Sequence, residues 1–294
     1  MILVAGATGL LGSEVCRRLV RQGEQVRALV RSTSRQAKVE DLRLLGVELC
    51  VGDLKDPASL SVACDGVRAI ISTASSTFSR QAGDSIESVD GVGQLSLVHA
   101  AKGAGIQRFV FVSFRHSSAM PFPLANAKAA VEEAIASMNF TVIQASYFME
   151  VWLSPAVGFD YPNGTVRVYG QGTSPISWVS YKDVAEMCVA ALNNPETDRK
   201  TIEFGGPQPV SPIQVVNIFQ AVSGRSFKLE YVPVEILTKQ FTDSTDSMEK
   251  SFAALMLGFA YGDAIEVNPI VGALGIGLTS VEEYARNVLG GLNS

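Results

Sequence analysis

The chain contains little cysteine and histidine. Among 294 residues there are four cysteines and two histidines. The cysteines form no Cys-x-x-Cys pair, and no histidine stands at a metal-ligand spacing. We therefore expect no metal site, buried reduced thiols and a reducing compartment, which favours a cytoplasmic location. The four cysteines are Cys16, Cys50, Cys64 and Cys188.

An excess of positive charge and a long apolar run are also absent. The net charge of −5 at pH 7 predicts no basic surface for nucleic acid. The longest apolar stretch, residues 252–260, is too short to span a bilayer. Because a strand is predicted to begin at Ile2, we expect no signal peptide before it. These observations favour a globular protein whose partner is a small molecule.

Glycines at three-residue spacing follow an apolar run at the start of the chain. Residues 2–5 have the composition of a buried parallel strand, Gly6, Gly9 and Gly12 come next, and apolar residues at helical spacing follow. Such glycines permit a tight turn, a close approach of the backbone to a pyrophosphate, and helix packing on the strand. The helix N-terminus offers N–H groups to phosphates. The pattern predicts a dinucleotide site; the alternative is a purely structural turn.

Arg31 stands where the second strand, predicted over residues 25–30, ends. In a dinucleotide-binding unit an acidic residue about 20 positions after the glycines bonds the 2′-hydroxyl of NAD. Arginine cannot accept that hydrogen bond, but it pairs well with a 2′-phosphate. Arg31 therefore favours NADP (NADPH) over NAD; the alternative is a solvated surface arginine.

Asp53 follows a third strand, predicted over residues 47–51. In open α/β sheets, ligands bind at the carboxyl ends of the strands, where this carboxylate is expected to lie. It would accept a hydrogen bond from the adenine amino group or cap a turn or helix. The sequence leaves both interpretations open.

Strands and helices alternate six times over residues 1–150. This alternation predicts an α/β fold, a doubly wound parallel Rossmann sheet that binds the dinucleotide. Its functional edge is formed by the carboxyl ends of the strands. The remaining strands are predicted at residues 68–73, 109–112 and 141–144, and a helix carrying Lys128 at residues 126–137.

Residues 151–294 have a different pattern, in which proline and glycine separate short elements. We expect a smaller C-terminal α+β region that binds substrate. Residues 175–179 resemble one more strand, and about residues 175–205 are expected to pack back on the Rossmann sheet. Candidate apolar linings of a substrate pocket, equally suited to a core, are Phe148, Trp152, Phe159, Tyr169 and Trp178.

With these residues the chain resembles the NmrA-like group of atypical short-chain dehydrogenases/reductases, which has isoflavone-reductase-like and quinone-reductase-like members. The segments that carry the resemblance are residues 6–12 (GATGLLG), Arg31, residues 52–54 (GDL), residues 100–113 and the helix with Lys128. The resemblance implies that a pyrophosphate is held by Gly6, Thr8, Gly9, Leu10, Leu11 and Gly12, a 2′-phosphate by Arg31, and adenine by Asp53 and Leu54. It places Thr73, Ala74, Ser113, Lys128 and Tyr147 towards the ribose and nicotinamide.

The position of the superfamily's usual tyrosine is occupied by Leu124. Typical members use a Tyr-x-x-x-Lys pair, whose lysine lowers the tyrosine pKa. No tyrosine of this chain has a lysine four residues later. This departure argues against epimerase or dehydratase chemistry and leaves Lys128 as the candidate catalytic residue, with His116 and Tyr147 as further proton donors. A solvated Lys128 is the alternative.

Two functions remain compatible with the sequence. The first is an NADPH-dependent reductase that transfers hydride to an electron-poor enone, imine or quinone. The second is a non-catalytic NADP(H)-binding sensor or scaffold protein. Both use the same glycines and the same arginine, and the sequence does not specify the oligomeric state.

Overall fold

The computed structural model describes residues 1–78, 81–116 and 120–291. The chain divides into two compact units. The first comprises Met1–Gln144 and Val184–Ile202, and the second comprises Ala145–Asp183 and Glu203–Ser294. Within the described ranges, no helix is both long and apolar enough to cross a membrane.

A seven-stranded sheet has the order β3-β2-β1-β4-β5-β6-β9. Strands β1 to β6 pair in parallel, so the predicted doubly wound α/β sheet is confirmed. β1, β4 and β5 are buried along their whole length because helices cover both faces of such a sheet. The strands are β1 (Ile2–Ala5), β2 (Val26–Val30), β3 (Glu48–Val51), β4 (Ala69–Ser72), β5 (Arg108–Ser113), β6 (Asn139–Ala145) and β9 (Lys200–Phe204).

A short helix of the first unit begins at a side-chain cap. Asp56 accepts a hydrogen bond from the Ala58 N–H and starts this short helix, which was not predicted from the sequence. Residues 75–93 contain the π-helical segment Ile86–Gly93, which continues directly into a helix. The helices are α1 (Leu10–Arg21), α2 (Gln36–Leu44), α3 (Pro57–Cys64), α4 (Gln94–Gly103) and α5 (Pro123–Ile135).

The second unit combines a three-stranded sheet, ordered β10-β8-β7, with several helices around an aromatic core. Ser211 caps α8, because its side chain accepts from the Gln214 N–H. The strands are β7 (Phe159–Asp160), β8 (Thr165–Tyr169) and β10 (Lys228–Val232). The further helices of the chain are α6 (Met149–Trp152), α7 (Tyr181–Leu192), α8 (Pro212–Ser223), α9 (Val234–Asp243), α10 (Ser247–Tyr261), α11 (Pro269–Ala273) and α12 (Val281–Gly290).

The strand predicted over residues 175–179 is wrong. Ile176 forms one bridge with Val210 and another with Asp263, and Val179 forms a bridge with Phe148. Each residue thus pairs with a different segment, so no continuous ladder of hydrogen bonds develops.

Candidate nucleotide-binding site

An open groove lies in the first unit at the carboxyl ends of its central strands. Its cavity volume is about 110 Å³. β1 and β4 are neighbours although β2 and β3 separate them in sequence, so the groove lies where the strand order reverses. The predicted cofactor residues that line it are Gly6, Thr8, Gly9, Arg31, Asp53, Leu54, Thr73 and Ala74.

Gly6 and Gly12 are required by close contacts in the turn after β1. Gly6 has a φ of +83°, and a Cβ there would lie 2.7 Å from the Ala74 nitrogen. A Cβ on Gly12 would lie 2.2 Å from the Gly6 carbonyl oxygen, so no larger residue fits without moving α1. Gly9 is the N-cap of α1, and its N–H donates to the Gly6 carbonyl over 2.9 Å.

The beginning of α1 presents backbone N–H groups next to this turn. The first N–H groups of a helix have no intrahelical acceptor and favour an anion. Leu10 is half exposed at this end of the helix, whereas Leu11 is buried. The turn and the helix start therefore form a backbone cradle of the kind that holds a pyrophosphate, and the chain's residues fit such a group.

Arg31 forms an ion pair with Asp84 instead of lying free in solvent. Its Nη1 donates to Asp84 Oδ2 over 2.6 Å, and Lys55 Nζ donates to Asp84 Oδ1 over 2.6 Å. Burial alone would raise the pKa of Asp84, but hydrogen bonds from Lys55, the Gln81 N–H and Arg31 hold this pKa below its usual value. Arg31 thus lies beside a lysine and a carboxylate that no sequence motif indicates.

Asp53 makes a turn contact and also lines the groove. Its Oδ1 accepts a hydrogen bond from the Lys55 N–H over 2.9 Å, which is a turn-stabilising contact. The residue also lines the groove, and its side chain is one-third exposed. The turn contact leaves the other carboxylate oxygen, Oδ2, 3.9 Å from Lys55 Nζ.

Lys128 is buried, so the solvated alternative is wrong. Its side chain is 7% exposed, its Nζ donates to the Val112 carbonyl over 3.3 Å, and it lies 4.8 Å from the centre of the Phe111 ring. Asp90 Oδ1 is 3.8 Å from the ammonium. Burial lowers the pKa of Lys128, while the charges of Asp90 and Glu132 oppose that shift.

Asp90 connects Lys128 to the segment that lines the groove. It lies on the π-helical segment, and its Oδ2 accepts from the N–H and the hydroxyl of Ser76 over 2.9 and 2.6 Å. Oδ1 has no hydrogen-bond partner within the described parts of the chain. Gln94 donates to the Ala74 carbonyl over 2.8 Å, which fixes the same segment from the next helical turn.

A second polar cluster lies at the ends of β5 and β6. The Ser113 hydroxyl donates to Glu132 Oε1, His116 Nε2 lies 3.1 Å from the same oxygen, and Gln144 donates to Oε2 over 3.1 Å. Ser113 and His116, both predicted near the nicotinamide or as proton donors, therefore share one carboxylate.

Tyr147 belongs to the second unit. Its hydroxyl donates to the Leu255 carbonyl over 2.8 Å, and its ring packs edge-on against Trp152 and Phe259. Of the five predicted pocket aromatics, Phe148 is partly exposed. The other four, Trp152, Phe159, Tyr169 and Trp178, are core residues of this unit.

The parallel sheet, the reversal of strand order and the glycine cradle define a nucleotide-binding protein of the Rossmann class. The chain belongs to the NmrA-like family, whose model matches residues 1–285, so the resemblance seen in the sequence is confirmed.

Individual relatives differ in what their names describe. The photosystem II assembly factor Ycf39 of Synechocystis is 27% identical over 98% of this chain and 90% of the relative. An NAD(P)H azoreductase of Xenophilus azovorans is 30% identical over 80% of this chain and 78% of the relative. The NADPH complex of an Escherichia coli NADPH-dependent quinone oxidoreductase has a TM-score of 0.79 at 21% identity, over 98% of this chain and 99% of that one. At this identity the structural likeness supports the fold alone.

Proposed function

We propose that this protein is an NADPH-dependent reductase that transfers hydride to a small electron-poor acceptor. The observation that carries the proposal is the groove, which has a glycine cradle at one end and the guanidinium of Arg31 at the strand end beside it. The cradle suits a pyrophosphate, and a guanidinium suits a 2′-phosphate. Bound NADPH would supply the hydride.

The names of relatives support the same cofactor and reaction type. The azoreductase is named for NAD(P)H, and the quinone oxidoreductase was solved with NADPH. Both proteins are named as reductases or oxidoreductases of small organic molecules. We extend to this chain only the chemistry common to those names, which is reduction of an electron-poor acceptor by a reduced nicotinamide.

The chain's own residues would bind, orient and exclude water around the acceptor. Lys128 is the candidate for electrostatic stabilisation of the charge that develops on the acceptor. Its buried ammonium lies beside Asp90, and Asp90 accepts a hydrogen bond from Ser76 in the segment that lines the groove. Leu124, one helical turn earlier, is buried and carries no hydroxyl, so no tyrosine acts from that position.

Nucleotide binding is tested by fluorescence titration with NADPH and with NADH. We expect Arg31→Ala to weaken NADPH binding by about tenfold or more and NADH binding by less than about twofold, because a charge-assisted pair with the 2′-phosphate is lost. Arg43→Ala, an exposed arginine on α2 paired with Glu40, is the matched control. Equal affinity of wild-type protein and Arg31→Ala for NADPH would refute the assignment of Arg31.

Turnover is tested by following NADPH absorbance with a panel of quinones, enones, imines and azo dyes. Oxidation of NADPH that depends on both protein and acceptor supports the reductase. Tight NADPH binding without oxidation by any acceptor would refute it.

The second candidate is a non-catalytic NADP(H)-binding scaffold or sensor protein. It is favoured by a specific observation, namely that a relative aligned over nearly the whole chain is named as an assembly factor. The two functions predict the same nucleotide binding, so the acceptor panel discriminates between them.

A further inference from the structure

The carboxylate of Asp84 lies between two cations in the nucleotide groove. Its side chain is 1% exposed, although it belongs to a segment with exposed neighbours. Arg31 and Lys55 each donate to it over 2.6 Å, one to each oxygen, and the Gln81 N–H donates to Oδ2 over 2.9 Å. A guanidinium, an ammonium and a backbone N–H form the donor set expected around a phosphate group.

The segment that carries Asp84 also forms hydrogen bonds with the loop after β2 through Gln81. The Thr33 hydroxyl donates to the Gln81 side-chain oxygen, and the Gln81 amide donates to the Thr33 carbonyl over 3.0 Å. Asp84 is therefore held beside Arg31 by side-chain and backbone contacts together, which makes its position a defined feature of the groove.

The charges of this cluster cancel. Arg31 and Lys55 are positive, whereas Asp84 and Asp53 are negative, and Asp53 Oδ2 lies 3.9 Å from Lys55 Nζ. A 2′-phosphate dianion placed at Arg31 would meet a carboxylate that already occupies the same donors. Like charges brought together at an interface cost enough to determine specificity.

We infer that Asp84 is a specificity-determining residue that competes with the 2′-phosphate of NADP(H) for Arg31 and Lys55, and that Lys55 is the second cation of the phosphate site. The inference rests on the proposed binding of NADP(H). When the 2′-phosphate takes its place, the carboxylate gives up its contacts with both cations. NADH, which has a hydroxyl at that position, does not compete with Asp84.

The experiment measures the dissociation constants of NADPH and NADH for the full chain and for Asp84→Asn. The amide retains the size of the side chain and removes its negative charge. We expect NADPH to bind about tenfold more tightly to the variant and NADH to change by less than about twofold, because only NADPH brings a further dianion to the cluster. In the Asp84→Asn background, Lys55→Gln should weaken NADPH binding by about tenfold.

Glu87→Gln is the matched control, since it removes an exposed negative charge from the same segment. It should change NADPH affinity by less than about twofold, as solvent and salt screen such a charge. Asp84→Ser is a second charge-removing variant, and circular dichroism reports whether each variant folds.

The outcomes separate the competition by Asp84 from the proposed NADP(H)-binding function. Selective tightening of NADPH supports the competition. Unchanged or weaker NADPH binding by folded Asp84→Asn and Asp84→Ser, or equal tightening of NADH, overturns it while the proposed function stands. Failure of the wild-type protein and all variants to bind either dinucleotide overturns the inference and the proposed function together.

Discussion

Lys128→Met should destabilise the protein because it leaves a buried carboxylate without its nearest cation. Asp90 is fully buried, and its Oδ1 faces the Lys128 ammonium at 3.8 Å. Removing one member of a buried ion pair costs about 3–5 kcal/mol. The low end, about 3 kcal/mol, applies here because 3.8 Å exceeds hydrogen-bond distance and Asp90 Oδ2 keeps two donors from Ser76.

A double-mutant cycle separates the coupling energy of the Lys128–Asp90 pair from the energy lost through changed packing. Asp90→Asn removes the charge that Lys128→Met leaves uncompensated, so the double variant should be more stable than the sum of the two single effects by at least about 1 kcal/mol. The free energies of unfolding are measured by urea denaturation. Lys38→Met, a half-exposed lysine on α2, should lie within about 0.5 kcal/mol of the wild type. Additivity of the two single variants within about 0.5 kcal/mol would refute an energetic link between Lys128 and Asp90.

Three further changes test the first unit. Burial lowers the folded-state pKa of Lys128 below 10.5 against the charges of Asp90 and Glu132, so the unfolded chain binds more protons there. The stability of the wild type relative to Lys128→Met should therefore rise as the pH rises towards 10.5 in urea denaturation, and a fall would contradict this. Gly12→Ala should weaken NADPH binding by more than about tenfold in fluorescence titration, whereas Gly103→Ala, whose Cβ meets open space, should not. Arg108→Met should destabilise the protein by about 3 kcal/mol in urea denaturation, because Thr141, Thr197 and the Ala191 carbonyl lose a buried donor; unchanged stability would show that these acceptors find other partners.

The parts of the site that were predictable depend on local sequence. Gly6, Gly9 and Gly12 lie within one turn, and the steric reasons for glycine there follow from the geometry of a strand, a turn and a helix. Arg31 follows from a fixed offset along one β-α-β unit. Short-range patterns of this kind also gave the parallel sheet, because alternating strands and helices leave few other topologies.

The parts that were missed depend on contacts between distant segments. Asp84 is 53 residues from Arg31, and the composition of residues 75–93 gave no sign that this carboxylate would be buried. Asp90 lies on the buried face of its segment with Ile86, Val89 and Gly93, but a carboxylate on that face interrupts the apolar pattern by which a buried face is recognised. Ser113 and His116 both contact Glu132, and this cluster was missed because residues that meet only in the folded chain carry no common sequence signal.

The contacts of the candidate proton donors restrict the acceptors that fit the proposed reductase. In the first unit, Lys128 donates to the Val112 carbonyl and His116 lies against Glu132. A reaction that needs little help from an acid suits such a site. Hydride addition to a quinone yields a phenolate, whose conjugate acid has an ordinary pKa of about 10, and addition to a cationic iminium yields a neutral amine. An enone instead yields an enolate, a stronger base that needs a proton donor nearby. Quinones and cationic acceptors therefore fit the described residues better than enones do.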